Sequence, residues 1–140
     1  MRTIIFLLAI AGIVVSSLAW QVHYSTKMEP CSINARWDCG IVNHSRYSMI
    51  GDIPVAAIGV AGYLLIGLLA LFGKRRWTFA AAIAGLVFAL YFTHIEASIL
   101  QVWCLYCVIS QGIIALITIL AIVSLVCDSK ARSGTTSASR

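Results

Sequence analysis

Cys31 and Cys39 stand in a polar stretch with seven residues between them, and Cys104 and Cys107 form a Cys-x-x-Cys at the start of an apolar run. Two such pairs can pass electrons to one another, because a thiolate attacks a disulfide sulfur through a mixed disulfide and needs no metal or flavin. On a helix, Cys104 and Cys107 fall one turn apart on the same face. At a helix N-terminus the macrodipole and the unpaired N–H groups also favour a thiolate. The plain alternative for Cys31 and Cys39 is a structural staple in a loop. Four cysteines allow three pairings, and the sequence does not choose among them. A zinc site from all four fits poorly: the Cys31–Cys39 spacing is not that of a zinc knuckle, and no histidine neighbours the Cys-x-x-Cys, so no metal is expected. Cys127 lies apart from the others and reads as a small buried hydrophobe or a bystander thiol.

The elements that must position these thiols are membrane helices. The 140-residue chain is 61% hydrophobic and 11% charged, which sets it apart from soluble domains. Uncharged or nearly uncharged runs cover 4–22, 53–72, 77–95 and 97–126. Each approaches the roughly 20 helical residues that span a bilayer, and a single mid-bilayer charge would cost about 2.5–3.5 kcal/mol. The expectation is an all-α integral membrane protein with spans at 4–22, 53–72, 77–95 and 102–126. An outer loop covers 23–52, and a disordered, Ser/Thr-rich tail covers 127–140. With the N-terminus cytoplasmic, Arg2, Lys74, Arg75, Arg76, Lys130, Arg132 and Arg140 lie inside. Lys27, Arg36 and Arg46 lie outside, with Glu29, Asp38, Asp52 and Glu96. That asymmetry follows the positive-inside rule and places both termini in the cytoplasm and four cysteines outside, where disulfides persist. The net charge of +5 is thus a topology signal and no indication of nucleic-acid binding. Trp20, Tyr24, Trp77, Trp103 and Tyr106 fall near the interfaces. A rival reading takes the first run, ending near Ser17-Leu18-Ala19, as a cleavable signal peptide. Its continuation through Trp20 and Val22 favours retention.

These residues also carry a resemblance. Asp38-Cys39-Gly40, Ser45-Arg46-Tyr47-Ser48, Ile53-Pro54, Gly59, Gly62-Tyr63 and Cys104-Leu105-Tyr106-Cys107 resemble the vitamin K epoxide reductase (VKOR) family, over about Pro30 to Val126. The compact length and the Ile-Pro look like the bacterial, DsbB-like branch, which reoxidises a periplasmic thiol oxidase at the expense of quinone. The resemblance implies that Cys31 exchanges with a partner, that Cys39 shuttles electrons onward by bonding to Cys104, and that Cys107 stands next to the quinone. It makes Ser45 the serine of a short lid helix, roughly 40–50, whose hydroxyl could orient Cys107 or a quinone carbonyl. A loop or turn hydroxyl is the plain alternative for Ser45. The places where animal members carry a polar amide and a tyrosine fall near Val55 and Gln111 here, which weakens the case for epoxide reduction. Many members carry a fused thioredoxin-like domain, and no residues remain for one here. The implied partner is a separate thioredoxin-fold, DsbA-like thiol oxidase. The implied cofactor is a quinone, either ubiquinone or a menaquinone of the vitamin K type. The implied location is the cell inner membrane with the active site on the extracytoplasmic side.

Other polar residues read more plainly. His94 and Glu96, at the end of the third run, mark the membrane interface or, alternatively, shuttle the protons that quinone reduction consumes or bind a partner. Asp52 before Ile53-Pro54 reads as an N-cap. Gly59, Gly62 and Gly67 permit close helix packing. The expected function is a thiol:quinone oxidoreductase. One competitor is a reductase of vitamin K-type quinone or its epoxide at the same site. The other is a non-enzymatic four-helix membrane protein with structural disulfides, such as a transporter subunit, but a small multidrug transporter would need an early embedded acid that the first run lacks.

Overall fold

The computed structural model describes residues 1–27 and 30–138. Glu29 and Arg140, counted in the charge asymmetry, lie outside the described residues. The fold is built on four apolar helices: α1 (Arg2–Tyr24), α3 (Val55–Leu71), α4 (Arg75–Ile95) and α5 (Leu105–Ala138). A short α2 (Cys39–Asn43) sits in the loop between α1 and α3. Three segments are long and apolar enough to cross a membrane: α1, α4 with its extension to Leu100, and α5 as far as Ser133. Helix α3 is equally apolar but shorter, at 17 residues. Gly73, at φ +67°, supplies the left-handed residue in the tight turn from α3 to α4.

Helix α1 packs chiefly on α3 and α5, and α4 packs on α5 and α3. The shared core holds Ile5, Ala9, Tyr63, Ile66, Ala70, Ala82, Ile114 and Ile117. Its closest approach is at Gly12, whose bare backbone lies against the Tyr63 ring. The Tyr63 hydroxyl then donates to the Ser110 carbonyl at 2.7 Å, so one side chain links α1, α3 and α5. The opposite faces are apolar and exposed: Leu7, Val14, Leu64, Leu68, Val87 and Ile119 all point away from the core. Such a surface is stable against lipid rather than water. The chain is an all-α membrane protein.

Four expectations change. The lid is not one helix over 40–50. Helix α2 stops at Asn43 because the Ser45 hydroxyl takes the Val42 carbonyl at 2.8 Å and His44 Nδ1 pairs with the Gly40 carbonyl at 2.8 Å, two local bonds that compete with helix propagation. A 3₁₀ turn, Arg46–Ser48, follows, and then β1 (Met49–Ile50) pairs antiparallel with β2 (Ile53–Pro54). Asp52 lies in the hairpin turn with Gly51 at φ +64°, and Pro54, with no side-chain cap, precedes α3, so Asp52 is no N-cap. The tail expected to be disordered from 127 is helical, because α5 runs on to Ala138. Extending a formed helix needs no new nucleus, and Arg75 from α4 pairs with Asp128 at 3.0 Å. Finally, the buried reading of Cys127 gives way to its other reading, a bystander thiol, because the thiol is exposed.

Candidate active site

The loop between α1 and α3 is held down by its own backbone. Asn34 closes a turn by accepting from the Arg36 and Trp37 amides through Oδ1, at 2.9 and 3.2 Å. The strand that leaves this turn runs parallel to the segment before α5. The Trp103 amide donates to the Arg36 carbonyl at 2.8 Å, and the Asp38 amide donates to the Trp103 carbonyl at 3.1 Å. Asp38 then caps α2, accepting from the Ile41 amide at 3.1 Å and the Ser32 hydroxyl at 2.9 Å. These donors, the Ile41 amide foremost and the Ser32 hydroxyl next, hold its carboxyl below the usual carboxylate range.

The pairing left open by the sequence is thereby given. Cys31 and Cys39 form a disulfide with a Cα–Cα distance of 5.8 Å, and Cys104 and Cys107 are free thiols. Cys31, Cys39 and Cys104 are buried together with Val22 and Val42, and Cys107 packs against them. Cys104 immediately precedes α5, and its carbonyl accepts the Val108 amide at 3.0 Å, so Cys107 lies in the first turn as the spacing predicts. Asn43, buried at the end of α2, bridges the pairs: its Nδ2 donates to the Cys39 carbonyl at 2.9 Å and to Cys104 Sγ at 3.6 Å. The Asn43 carbonyl is in turn held by His23 Nδ1 from α1.

Two residues take other positions than the sequence suggests. Glu96 does not mark an interface: it is 3% exposed, and its Oε2 accepts the Cys104 amide at 3.3 Å. The helix widens into a π turn over Glu96–Leu100 and ends at Gln101 in the left-handed region, φ +53°. That reversal brings the chain back so that Cys104 meets Glu96. His94, two residues earlier, is exposed and paired with Ser98, as an interface residue would be. Gln111 lies behind the site, taking the hydroxyl of Thr93 through its Oε1.

A cavity of about 400 Å³ opens beside Cys107. Val55, Phe88, Phe92 and Tyr106 supply apolar wall, and Asn43, Ser45, Ser110 and Glu96 supply the polar points. Ser45 reaches this wall with its hydroxyl proton already committed to the Val42 carbonyl, so it presents an acceptor. Cys107 lines the cavity and Cys104 does not. A flat, mostly apolar ring with two carbonyls and a hydrocarbon tail fits such walls in size and chemistry. Asn43 is the residue that sequence reasoning misses, since an asparagine four residues after Cys39 matches no spacing rule; Glu96, eight before Cys104, matches none either and is legible only as an interface acid or a proton shuttle.

Buried thiols, a sealed disulfide and an apolar chamber on a helical membrane scaffold define a membrane oxidoreductase. The chain matches the model of the Vitamin K epoxide reductase family over residues 3–122, and it belongs to that family. Family members use quinones or vitamin K. A search of curated proteins returned no match.

Proposed function

We propose that this chain is a thiol:quinone oxidoreductase that reoxidises a separate thioredoxin-fold thiol oxidase. In this reading four helices cross the inner membrane, both termini are cytoplasmic and the cysteines face the extracytoplasmic side, as the basic residues suggest. The observation that carries the reading is a graded order of thiols: a disulfide in the loop, a sealed Cys104 beside it, and Cys107 alone on the cavity wall.

Electrons enter when a thiolate of the partner attacks Cys31, and Cys39 leaves as a thiolate. Cys39 attacks Cys104 of a Cys104–Cys107 disulfide and frees Cys107. The partner's second thiol attacks the mixed disulfide, so that the partner leaves oxidised and Cys31 is freed. Cys31 then attacks Cys39 of the Cys39–Cys104 bond, restoring the loop disulfide and leaving Cys104 and Cys107 reduced. The observed sulfur pattern matches that stage. A bound quinone would accept the two electrons and two protons that return Cys104 and Cys107 to a disulfide. Cys107 and Ser45 would hold its ring end, with Val55 on the wall. Val55 offers no amide to polarise an epoxide oxygen, so quinone itself is favoured over the epoxide.

The test is thiol-dependent quinone reduction by purified protein, with a reduced thioredoxin-fold oxidase as donor and ubiquinone or menaquinone as acceptor. Activity in the wild type that is lost in Cys107→Ala is expected. No reduction of either quinone by folded wild-type protein would overturn the reading and leave the disulfide a structural one.

A further inference from the structure

Glu96 is the one carboxylate among the described residues that line the cavity, and no lysine, arginine or histidine joins it there. It is 3% exposed, yet no ion pair is made to it among the described residues. Its neighbours are the two thiols' own segment: its Oε2 accepts the Cys104 amide at 3.3 Å, and Cys107 lines the same cavity. Burying a carboxylate without a cation is costly, and a purely structural acceptor for one amide could be a carbonyl or an amide oxygen. What a carboxylate adds is the capacity to take and return a proton. Oxidising a dithiol releases two protons into a chamber that no other carboxylate and no basic side chain among the described residues lines, so a local acceptor is needed.

We infer that Glu96 is the catalytic proton carrier of the cysteine pair, taking the proton of the Cys107 thiol and delivering it to the quinone. This inference rests on the thiol:quinone reading above. In the step, the Cys107 Sγ–H bond breaks and its proton passes to a Glu96 oxygen. A bond forms between Cys104 Sγ and Cys107 Sγ as two electrons leave the pair for the quinone. The proton held by Glu96 and the proton of the Cys104 thiol go to the two quinone oxygens, and Glu96 returns to carboxylate. The Cys104 amide, fixed on Oε2, keeps the carboxyl in place throughout.

The other titratable groups near the carboxyl are few. Tyr47 from the 3₁₀ turn, Tyr63 from α3 and Tyr106 from α5 share the cavity wall, and the Tyr63 hydroxyl is engaged by Ser110. His23 from α1 is turned to the Asn43 carbonyl, and His94 lies on the exposed face of α4. The thiols are therefore the groups whose protons Glu96 can exchange.

The experiment compares wild type with Glu96→Gln and Glu96→Asp in two assays. The first, on quinone-free protein, measures alkylation of Cys107 by iodoacetamide, peptide by peptide, against pH. Removing the negative charge beside the thiolate makes Cys107 in Glu96→Gln alkylate about tenfold faster at neutral pH. The second measures quinone reduction, which falls by about 100-fold or more in Glu96→Gln as expected for loss of a general base. Glu96→Asp keeps the charge, so its alkylation profile stays near wild type while its turnover falls less. Faster alkylation combined with slower turnover is a signature that loss of structure alone does not give. Should Glu96→Gln fail to fold, Glu96→Asp decides: full loss of turnover with an altered alkylation profile overturns the inference. Wild-type activity that Glu96→Gln retains overturns the proton role and leaves the thiol:quinone reading intact. Absence of quinone reduction in the wild type overturns both, whereas the alkylation arm still reports the Glu96–Cys107 contact by itself.

Discussion

The amide of Asp38 donates to the carbonyl of Trp103 at 3.1 Å, and each of these residues immediately precedes a cysteine of a different pair, Cys39 and Cys104. A single backbone bond therefore sets the register between a loop and a helix start that are distant in sequence. Both sulfurs are fully buried beside it, in one cluster with Cys31. The double variant Cys31→Ala, Cys107→Ala should accumulate a Cys39–Cys104 disulfide under mild oxidation. Non-reducing mass spectrometry of proteolytic fragments reads it directly, and recovery of Cys39 and Cys104 as free thiols would show that the two sulfurs do not meet.

Asn43 is the only side chain among the described residues with hydrogen bonds to both cysteine pairs, reaching the Cys39 carbonyl and Cys104 Sγ. Asn43→Ala leaves that buried carbonyl without its donor, at a cost of about 1–3 kcal/mol. Its thermal midpoint in detergent should fall, and exchange between the pairs should slow. Asn43→Asp should slow exchange further, because a carboxylate replaces a donor beside a sulfur that must carry negative charge. Unchanged exchange in both variants would make the contact incidental.

The cap at Asp38 predicts a pH dependence. Its carboxyl titrates below its ordinary value because the Ile41 amide and the Ser32 hydroxyl both donate to the charged form. A depressed carboxyl contributes its stability above the unfolded value and loses it as pH falls through the folded value. Amide exchange at Ile41 should therefore be slow at neutral pH and quicken in the acid range, below the ordinary value of 3.8. Asp38→Asn keeps a capping oxygen without a titrating charge, so its protection should be flat across that range. Acid-induced loss of equal size in Asp38→Asn would assign the effect to another group.

Helix packing gives a fourth expectation. A Cβ at Gly12 would fall inside the Tyr63 ring, so Gly12→Ala should destabilise by about 1–3 kcal/mol through overpacking. Tyr63→Phe loses only the bond to Ser110, at about 1 kcal/mol. Thermal unfolding of each variant in the same detergent checks the order. A larger loss for Tyr63→Phe than for Gly12→Ala would mean that the hydroxyl, rather than the close approach, fixes these three helices.

What the sequence made legible was the apolar runs and the thiols, because hydropathy over a whole helix and cysteine spacing are both coarse, additive signals. Helix ends were read less well. The expected 40–50 lid broke at Ser45 and the expected stop at 126 was passed, since both depended on a few local bonds: Ser45 to Val42, His44 to Gly40, Arg75 to Asp128. The burial of Glu96 was not legible for a related reason. A π turn ending in a left-handed Gln101 changes which residues face inward, and nothing in the residue types of 96–101 announces that winding. Glu96 looked like a surface acid because its neighbours in sequence are interfacial, whereas its neighbours in space are sulfur.

Helix α5 has 34 residues, which at about 1.5 Å each makes a rod of about 50 Å. A hydrocarbon layer of about 30 Å uses up roughly three-fifths of it. About 20 Å is left over as a mast on the side away from the cysteines, carrying Asp128, Lys130 and Arg132 near its foot, with Arg75 of α4 as a stay against Asp128. Anything approaching the protein from that side encounters this projection first, and it is one continuous helix with the turn that carries Cys107.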